Sequence, residues 1–282
     1  MSFGGVKPKD DRDGDLHGGF TRQSAATAAL YADSVNHASR APRTVAELLN
    51  LLVADPGRPR LTWYGPQGER VELSGAVLQN WVSKTTNLVV EEFDAGPGSR
   101  ILVDLPVHWR TVVWALGAWR CGSTLVLAPS DEARTAAQPV DVVVTSRPDV
   151  WSGVEGDLVA VALPALARSF DGDLPPGAID AASAVMTYGD IVAWAPETDP
   201  DEIAIAAGHE SVRFSALVPE PAASRPSRVI VEGDRALGLV LHDLLAAWAA
   251  DGSAVLTSAE TALELRDDPA RLARLRETER VT

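Results

Sequence analysis

The stretch from Glu69 to Pro129 constrains the fold most, because it alternates short β-type runs with helix-type runs in an order that leaves few topologies open. Arg70-Val-Glu-Leu alternates polar and apolar residues and ends at Ser74, a good N-cap. Beyond it, Leu78, Trp81, Val82, Thr85, Leu88, Val89 and Phe93 form one apolar stripe, with Gln79, Asn80, Lys84, Glu91 and Glu92 off it. That pattern predicts a helix of about five turns. Asp94-Ala-Gly-Pro-Gly-Ser stops it, with Gly96 expected to take a positive φ and Pro97 unable to continue the helix. Arg100-Ile-Leu-Val-Asp-Leu reads as a buried strand. Pro106 is expected to open a helix carrying Trp109, Val112, Val113, Leu116 and Trp119, closed by Gly122 ahead of the strand Ser123 to Ala128. Strand, helix, strand at this spacing implies a right-handed parallel crossover.

The flanking segments extend the pattern. Thr44-Val-Ala-Glu47 is a capping box opening a helix with Leu48, Leu49, Leu51, Leu52 and Val53, which Pro56 and Pro59 end. Arg60 to Tyr64, Gly65-Pro-Gln-Gly and Glu69 to Leu73 read as a hairpin. Asp141 to Thr145 and Leu158 to Leu163 are further short strands, and a helix is expected over Ala178 to Met186. Later, Arg228-Val-Ile-Val-Glu leading to Gly252-Ser-Ala-Val-Leu echoes Arg100-Ile-Leu-Val-Asp leading to Gly122-Ser-Thr-Leu-Val-Leu, which predicts a second βαβ unit. The fold class is therefore α/β, with mixed, largely parallel sheets covered by helices. A first subdomain is expected over about 41–170 and a second over about 200–282, joined by a loop-rich connection at 171–199. Residues 1–40 lack strong periodicity and read as a disordered tail.

This order of elements resembles the large N-terminal domain of the adenylate-forming superfamily, which includes acyl-CoA synthetases, peptide-synthetase adenylation domains and luciferases. The matching residues are Gly96, Gly98 and Arg100 in the turn into the strand, then Pro106, Ala118 and Gly122, and finally Asp268-Pro through Val281-Thr282. The resemblance runs over about residues 44–282, so it implies a truncated form without the superfamily's mobile C-terminal domain.

The same resemblance implies a phosphate-holding loop, T-S-G-T-T-G-x-P-K, near residues 205–216. Ile205-Ala-Ala-Gly-His-Glu-Ser-Val-Arg-Phe-Ser-Ala stands there instead. The loop needs glycines so that backbone N–H groups can approach the anion. Gly208 is the one glycine, Glu210 brings negative charge, and Arg213 is no direct replacement for a lysine. No lysine follows Lys84, and Arg235 stands where the superfamily has a histidine. ATP and Mg²⁺ are therefore not expected as cofactors. The residues of this region that remain candidates for a ligand are Gly208, His209, Ser211 and Arg213, with His108 and Arg235 as further pocket candidates.

Composition removes other classes. The formal net charge of -14 argues against nucleic acid or an anionic membrane as a partner, since phosphate contacts need concentrated positive charge. No run approaches the ~20 apolar residues of a membrane span, and a cytoplasmic location is the expectation. The lone cysteine, Cys121, rules out an internal disulfide and reads as a packed thiol. The acid cluster Glu197, Asp199, Asp201 and Glu202 reads as a solvated loop between prolines, and His108 beside Trp109 as a helix-start histidine packed on an indole. The eight tryptophans read mainly as core or interface. With three lysines, 22 arginines and many alanines, the composition fits a high-GC genome such as an actinobacterium's. The functional expectation is a non-catalytic domain that binds a protein partner or itself. The alternatives are a ligand-sensing pseudoenzyme with an acyl or nucleotide pocket, and a residual enzyme with altered chemistry.

Overall fold

Two sheets organise the chain, and the first hairpin belongs to the sheet completed by its last crossover. The computed structural model describes residues 1–2, 4, 41–127, 139–221 and 226–282. The tail expected over 1–40 falls, apart from Met1, Ser2 and Gly4, outside the described residues; Ala41–Thr282 forms one compact unit.

Helix α1 (Val45–Val53) starts at the expected capping box. The Thr44 hydroxyl accepts from Glu47 N–H at 3.1 Å, and the Glu47 carboxylate accepts back from Thr44 N–H at 3.2 Å. Thr44→Ala is expected to cost about 1 kcal/mol, read from the urea midpoint at unchanged m-value. Strands β1 (Pro59–Tyr64) and β2 (Arg70–Ser74) form the expected hairpin. Ser74 caps α2 (Gly75–Phe93), the long helix with the predicted stripe. Its end corrects one expectation. Asp94, not Gly96, takes the left-handed conformation, at φ 50°. A short polar side chain tolerates that region. Gly96 instead answers to crowding, because a Cβ there would lie 3.1 Å from the Pro196 ring.

Strand β3 (Arg100–Asp104) leads into α3 (Trp109–Arg120), then β4 (Thr124–Leu127). Pro106 was the expected start of α3, but the helix begins at Trp109 with His108 as N-cap. The His108 Nδ1 accepts from Arg110 N–H at 3.1 Å, and the Pro106 carbonyl accepts from the Thr111 hydroxyl at 2.6 Å, so Pro106 and Val107 stay outside the helix. Next come β5 (Val142–Thr145), β6 (Asp157–Ala160) and β7 (Ile179–Asp180). The helix expected over Ala178 to Met186 shortens to α4 (Ala181–Ala184) and one 3₁₀ turn, Val185–Thr187. Asp180 is the reason: its carboxylate caps Ala182 N–H at 2.9 Å, so the segment before it remains a strand. Strands β8 (Ile203–Ala207) and β9 (Glu210–Arg213) precede the single-turn α5 (Phe214–Leu217). The predicted second βαβ unit is β10 (Arg228–Val231), α6 (Leu237–Ala249) and β11 (Ser253–Thr257). Helices α7 (Ala259–Asp267) and α8 (Pro269–Thr278) follow, capped by Ser258 and Asp268.

The larger sheet has the order β7-β6-β5-β3-β4-β8-β9, parallel except for β9. The smaller has the order β10-β11-β1-β2, parallel except for β2. Strands β5 and β11 are buried along their whole length, as expected where helices cover both faces of a parallel sheet. One apolar core runs through Leu48, Trp63, Leu88, Trp119, Leu244 and Trp248; Leu102, Val143, Trp151 and Leu158 form a second on the far face of the larger sheet. Of the eight tryptophans, Trp194 departs from the core expectation, at 67 % exposure. Cys121 is buried and free as expected, and burial raises its pKa.

Two polar nodes tie the smaller sheet together. Arg60, 1 % exposed, donates from Nε to the Leu52 carbonyl at 3.1 Å and from Nη1 to the Asp251 and Gly252 carbonyls at 2.9 and 3.2 Å. The Asp251 carboxylate also approaches Nη1, at 2.7 Å, but outside hydrogen-bond geometry. Glu279 accepts from Tyr64, Arg70 and Arg228 and so fastens the end of α8 to three strands. Burial pushes the Glu279 pKa up, but hydrogen bonds from Tyr64, Arg228 and Arg70 outweigh that and leave it lowered.

Candidate functional site

The carboxyl ends of β1, β3, β6 and β11 converge on a cavity of about 720 Å³, within the range of ligand sites. In open α/β sheets this is the side where the chain leaves the sheet and backbone groups are free to face a ligand. Trp63, His108 and Ser258 form its buried floor. Glu69, Val107 and Leu163 are half-buried in its wall, and Gln67, Pro106, Pro164 and Glu260 are exposed at its mouth.

Each floor group is fixed by its neighbours. Trp63 donates from Nε1 to the Glu69 carboxylate at 3.2 Å, and the other Glu69 oxygen accepts from Ala165 N–H at 3.1 Å. Gly65 makes room for this contact, since a Cβ there would lie 2.6 Å from Glu69 Oε2 and 2.7 Å from Trp63 Nε1. The Trp63 and His108 rings meet edge-on, with centroids 4.7 Å apart. Burial, and secondarily the charge of Arg110, push the His108 pKa down to about 3. The ring is therefore neutral at pH 7. Because Nδ1 accepts from Arg110 N–H, the proton resides on Nε2, which has no hydrogen-bond partner among the described residues. Arg110 lies behind this floor, between Trp81 and Trp109, with Nη2 donating to the Pro164 and Ala165 carbonyls. Burial pushes its pKa down and the charge of Glu69 pulls it back up.

The residues expected from the sequence are not brought together. Gly208 and His209 form a two-residue turn between β8 and β9 at the edge of the larger sheet, with Gly208 at φ 61°. Ser211 and Arg213 lie on β9, exposed, and the Arg213 guanidinium donates to the Asp201 carbonyl. Arg235 is exposed in the β10–α6 connection and paired with Asp243. None of these five lines the cavity; of the six expected residues, His108 alone does. Trp63, Glu69 and Glu260 went unnoticed in the sequence. Glu260 had one available signal, since it follows a strand end by three residues, as His108 does by four. Among the described residues, no group of three or more His, Cys, Asp or Glu side chains could hold a metal ion, and no helix is long and apolar enough to cross a membrane.

Comparison with solved structures gives the fold. An acyl-CoA synthetase from Brucella canis superposes with a TM-score of 0.58 at 16 % identity, covering 76 % of this chain and 46 % of the other. An amide bond synthetase from Marinactinospora thermotolerans gives 0.58 at 18 % identity over 84 % of this chain and 47 % of its own. Acetoacetyl-CoA synthetase from Streptomyces lividans gives 0.56 at 15 % identity, covering 76 % and 38 %. The chain thus has the α/β fold of adenylate-forming enzymes and spans less than half the length of these three. No protein-family model matches it. A Mycobacterium tuberculosis protein described as a TIGR03089 family protein is 35 % identical over 245 residues, 82 % of this chain and 93 % of the relative. Identity at that level over nearly the whole relative identifies the chain as a member of the TIGR03089 family.

Proposed function

We propose that the chain is a ligand-binding domain with an adenylate-forming fold that does not itself adenylate, holding a small molecule in the cavity at the junction of its two sheets. The observation that carries this reading is the cavity itself: large enough for a ligand, floored by buried aromatic rings, and lined by polar groups held in fixed orientation. Support for the non-adenylating part comes from the β8–β9 turn. An exposed Gly208-His209 pair followed by Glu210 offers neither a run of backbone donors nor a lysine to a triphosphate.

The test follows the Trp63 indole N–H by NMR. A set of aromatic fragments is expected to shift that resonance, and Val107→Trp, which narrows the cavity, to weaken the response. Mg-ATP is expected to leave both the resonance and the melting temperature unchanged. A bound ligand at 100 times its Kd would add about 2.7 kcal/mol, well within reach of a melting curve. Carboxylate-dependent pyrophosphate exchange would overturn the non-adenylating part, and silence of Trp63 toward every fragment would end the binding part.

A second reading, an interaction module, has one specific observation in its favour. Met186, Ile191 and Trp194 are 61 %, 80 % and 67 % exposed within nine residues of one loop-rich segment. Sedimentation of the wild type beside Trp194→Ser tests it. A self-association that the substitution removes is the expected result on this reading, and a monomer in both cases rejects self-association through this segment.

A further inference from the structure

We infer that the cavity selects a small organic cation, an ammonium group on an apolar body, and disfavours carboxylates and phosphates; this rests on the proposal that the cavity binds a ligand at all.

Among the described residues, the ionisable ones lining the cavity are Glu69, Glu260 and His108, with no lysine or arginine. Glu69 is not free to swing away, because its two oxygens are held from opposite sides by Trp63 Nε1 and Ala165 N–H. One hydrogen bond leaves each carboxylate oxygen with a lone pair to offer. Glu260 stands in the first turn of α7, at the mouth. His108, 4 % exposed, is the floor's donor through Nε2–H and brings no positive charge to attract an anion. Arg110, which interacts with Glu69 from behind the floor, is turned toward the Pro164 and Ala165 carbonyls.

An anionic ligand would therefore enter a half-buried space against two carboxylates, where repulsion is less screened than at a flat surface. An ammonium group gains from the same charges. Pro106, Val107, Leu163 and Pro164 would take the apolar body. His108 Nε2–H is satisfied by an uncharged oxygen on the ligand without cost from Glu69 and Glu260. The net charge of -14 adds a long-range field of the same sign.

Three isosteric probes separate the possibilities: benzylammonium, benzyl alcohol and benzoate, titrated against the full chain with the Trp63 indole N–H as reporter. Benzylammonium is expected to bind about tenfold more tightly than benzyl alcohol, with benzoate weakest. Glu69→Gln and Glu260→Gln should each weaken benzylammonium by about threefold, and benzyl alcohol by less. Added salt should weaken benzylammonium alone. Glu260 is exposed, so that variant tests charge without threatening the fold. Benzoate binding as tightly as benzylammonium, or a cation preference untouched in both variants, overturns the inference. If benzyl alcohol binds with no charge preference, the ligand class fails while the cavity remains a binding site. Silence toward all three probes refutes both.

Discussion

Arg60→Ala is expected to destabilise the protein by about 3–5 kcal/mol, a large share of the 5–15 kcal/mol that holds a typical domain folded. The side chain is 1 % exposed and its three hydrogen bonds end on the carbonyls of Leu52, Asp251 and Gly252. Those carbonyls terminate α1 and shape the α6–β11 turn, so one guanidinium supplies donors to two chain reversals. Truncation leaves them without that donor and opens a cavity beneath β1. Arg60→Lys should recover only part of the loss, since an ammonium group cannot reproduce a planar fork directed at separated acceptors. Urea unfolding at pH 7 measures both. A loss below about 1 kcal/mol for the alanine variant would mean that water reaches these carbonyls as readily as the guanidinium does.

The pH dependence of stability should carry the signature of His108. Its folded pKa of about 3 lies below the ordinary 6.5. Between those values the unfolded chain binds a proton that the folded chain refuses, so the unfolded state is favoured as pH falls. The contribution is fully present above the unfolded value and is lost progressively from there toward pH 3, at up to about 1.4 kcal/mol per pH unit. Asp104 and Glu279 act lower. Burial raises the Asp104 pKa, but hydrogen bonds from Trp151, Arg147 and Thr145 outweigh this and leave it below its ordinary 3.8. Glu279 is likewise held below 4.5. Their contributions are present above those ordinary values and are lost as pH falls through the folded ones. The interval from pH 6.5 to about 5 therefore separates the histidine from these two carboxylates. His108→Asn keeps an N-cap and removes the titration, and should flatten the stability profile in that interval. Equal slopes for variant and wild type would show that the imidazole is solvated at no cost in its protonated form.

Much of the local structure was legible because it is written in neighbouring residues. The capping box at Thr44 and Glu47, the apolar stripe from Leu78 to Phe93, and both parallel crossovers follow from short-range pattern. Errors arose where a side chain outcompeted a propensity. His108 rather than Pro106 caps α3, Asp94 rather than Gly96 takes the positive φ, and Asp180 delays a helix by accepting from Ala182 N–H. The cavity was the least legible feature. Its floor joins Trp63, His108 and Ser258, three residues from three distant segments, and Glu69 read as nothing more than a hairpin residue. The motif residues Gly208, His209, Ser211 and Arg213 share a sheet edge and do not line this cavity. Sequence order marks a loop's ancestry, whereas a pocket depends on which strand ends the sheets set side by side.

The pairing of β1 with β11 has a consequence during synthesis. Leu61 faces Ala254 in that ladder, so a strand made early finds its parallel neighbour only after all the residues between them have been translated. At ~5–20 residues per second the wait is on the order of ten to forty seconds. Through that interval Leu61 and Trp63, both fully enclosed in the finished protein, must remain uncovered or be shielded by other means. The larger sheet, whose strands all lie between Arg100 and Arg213, can close first and present a template. Folding on the ribosome should therefore proceed from the middle of the chain outward, with the amino-terminal hairpin among the last elements to settle and the one most dependent on chaperones while it waits.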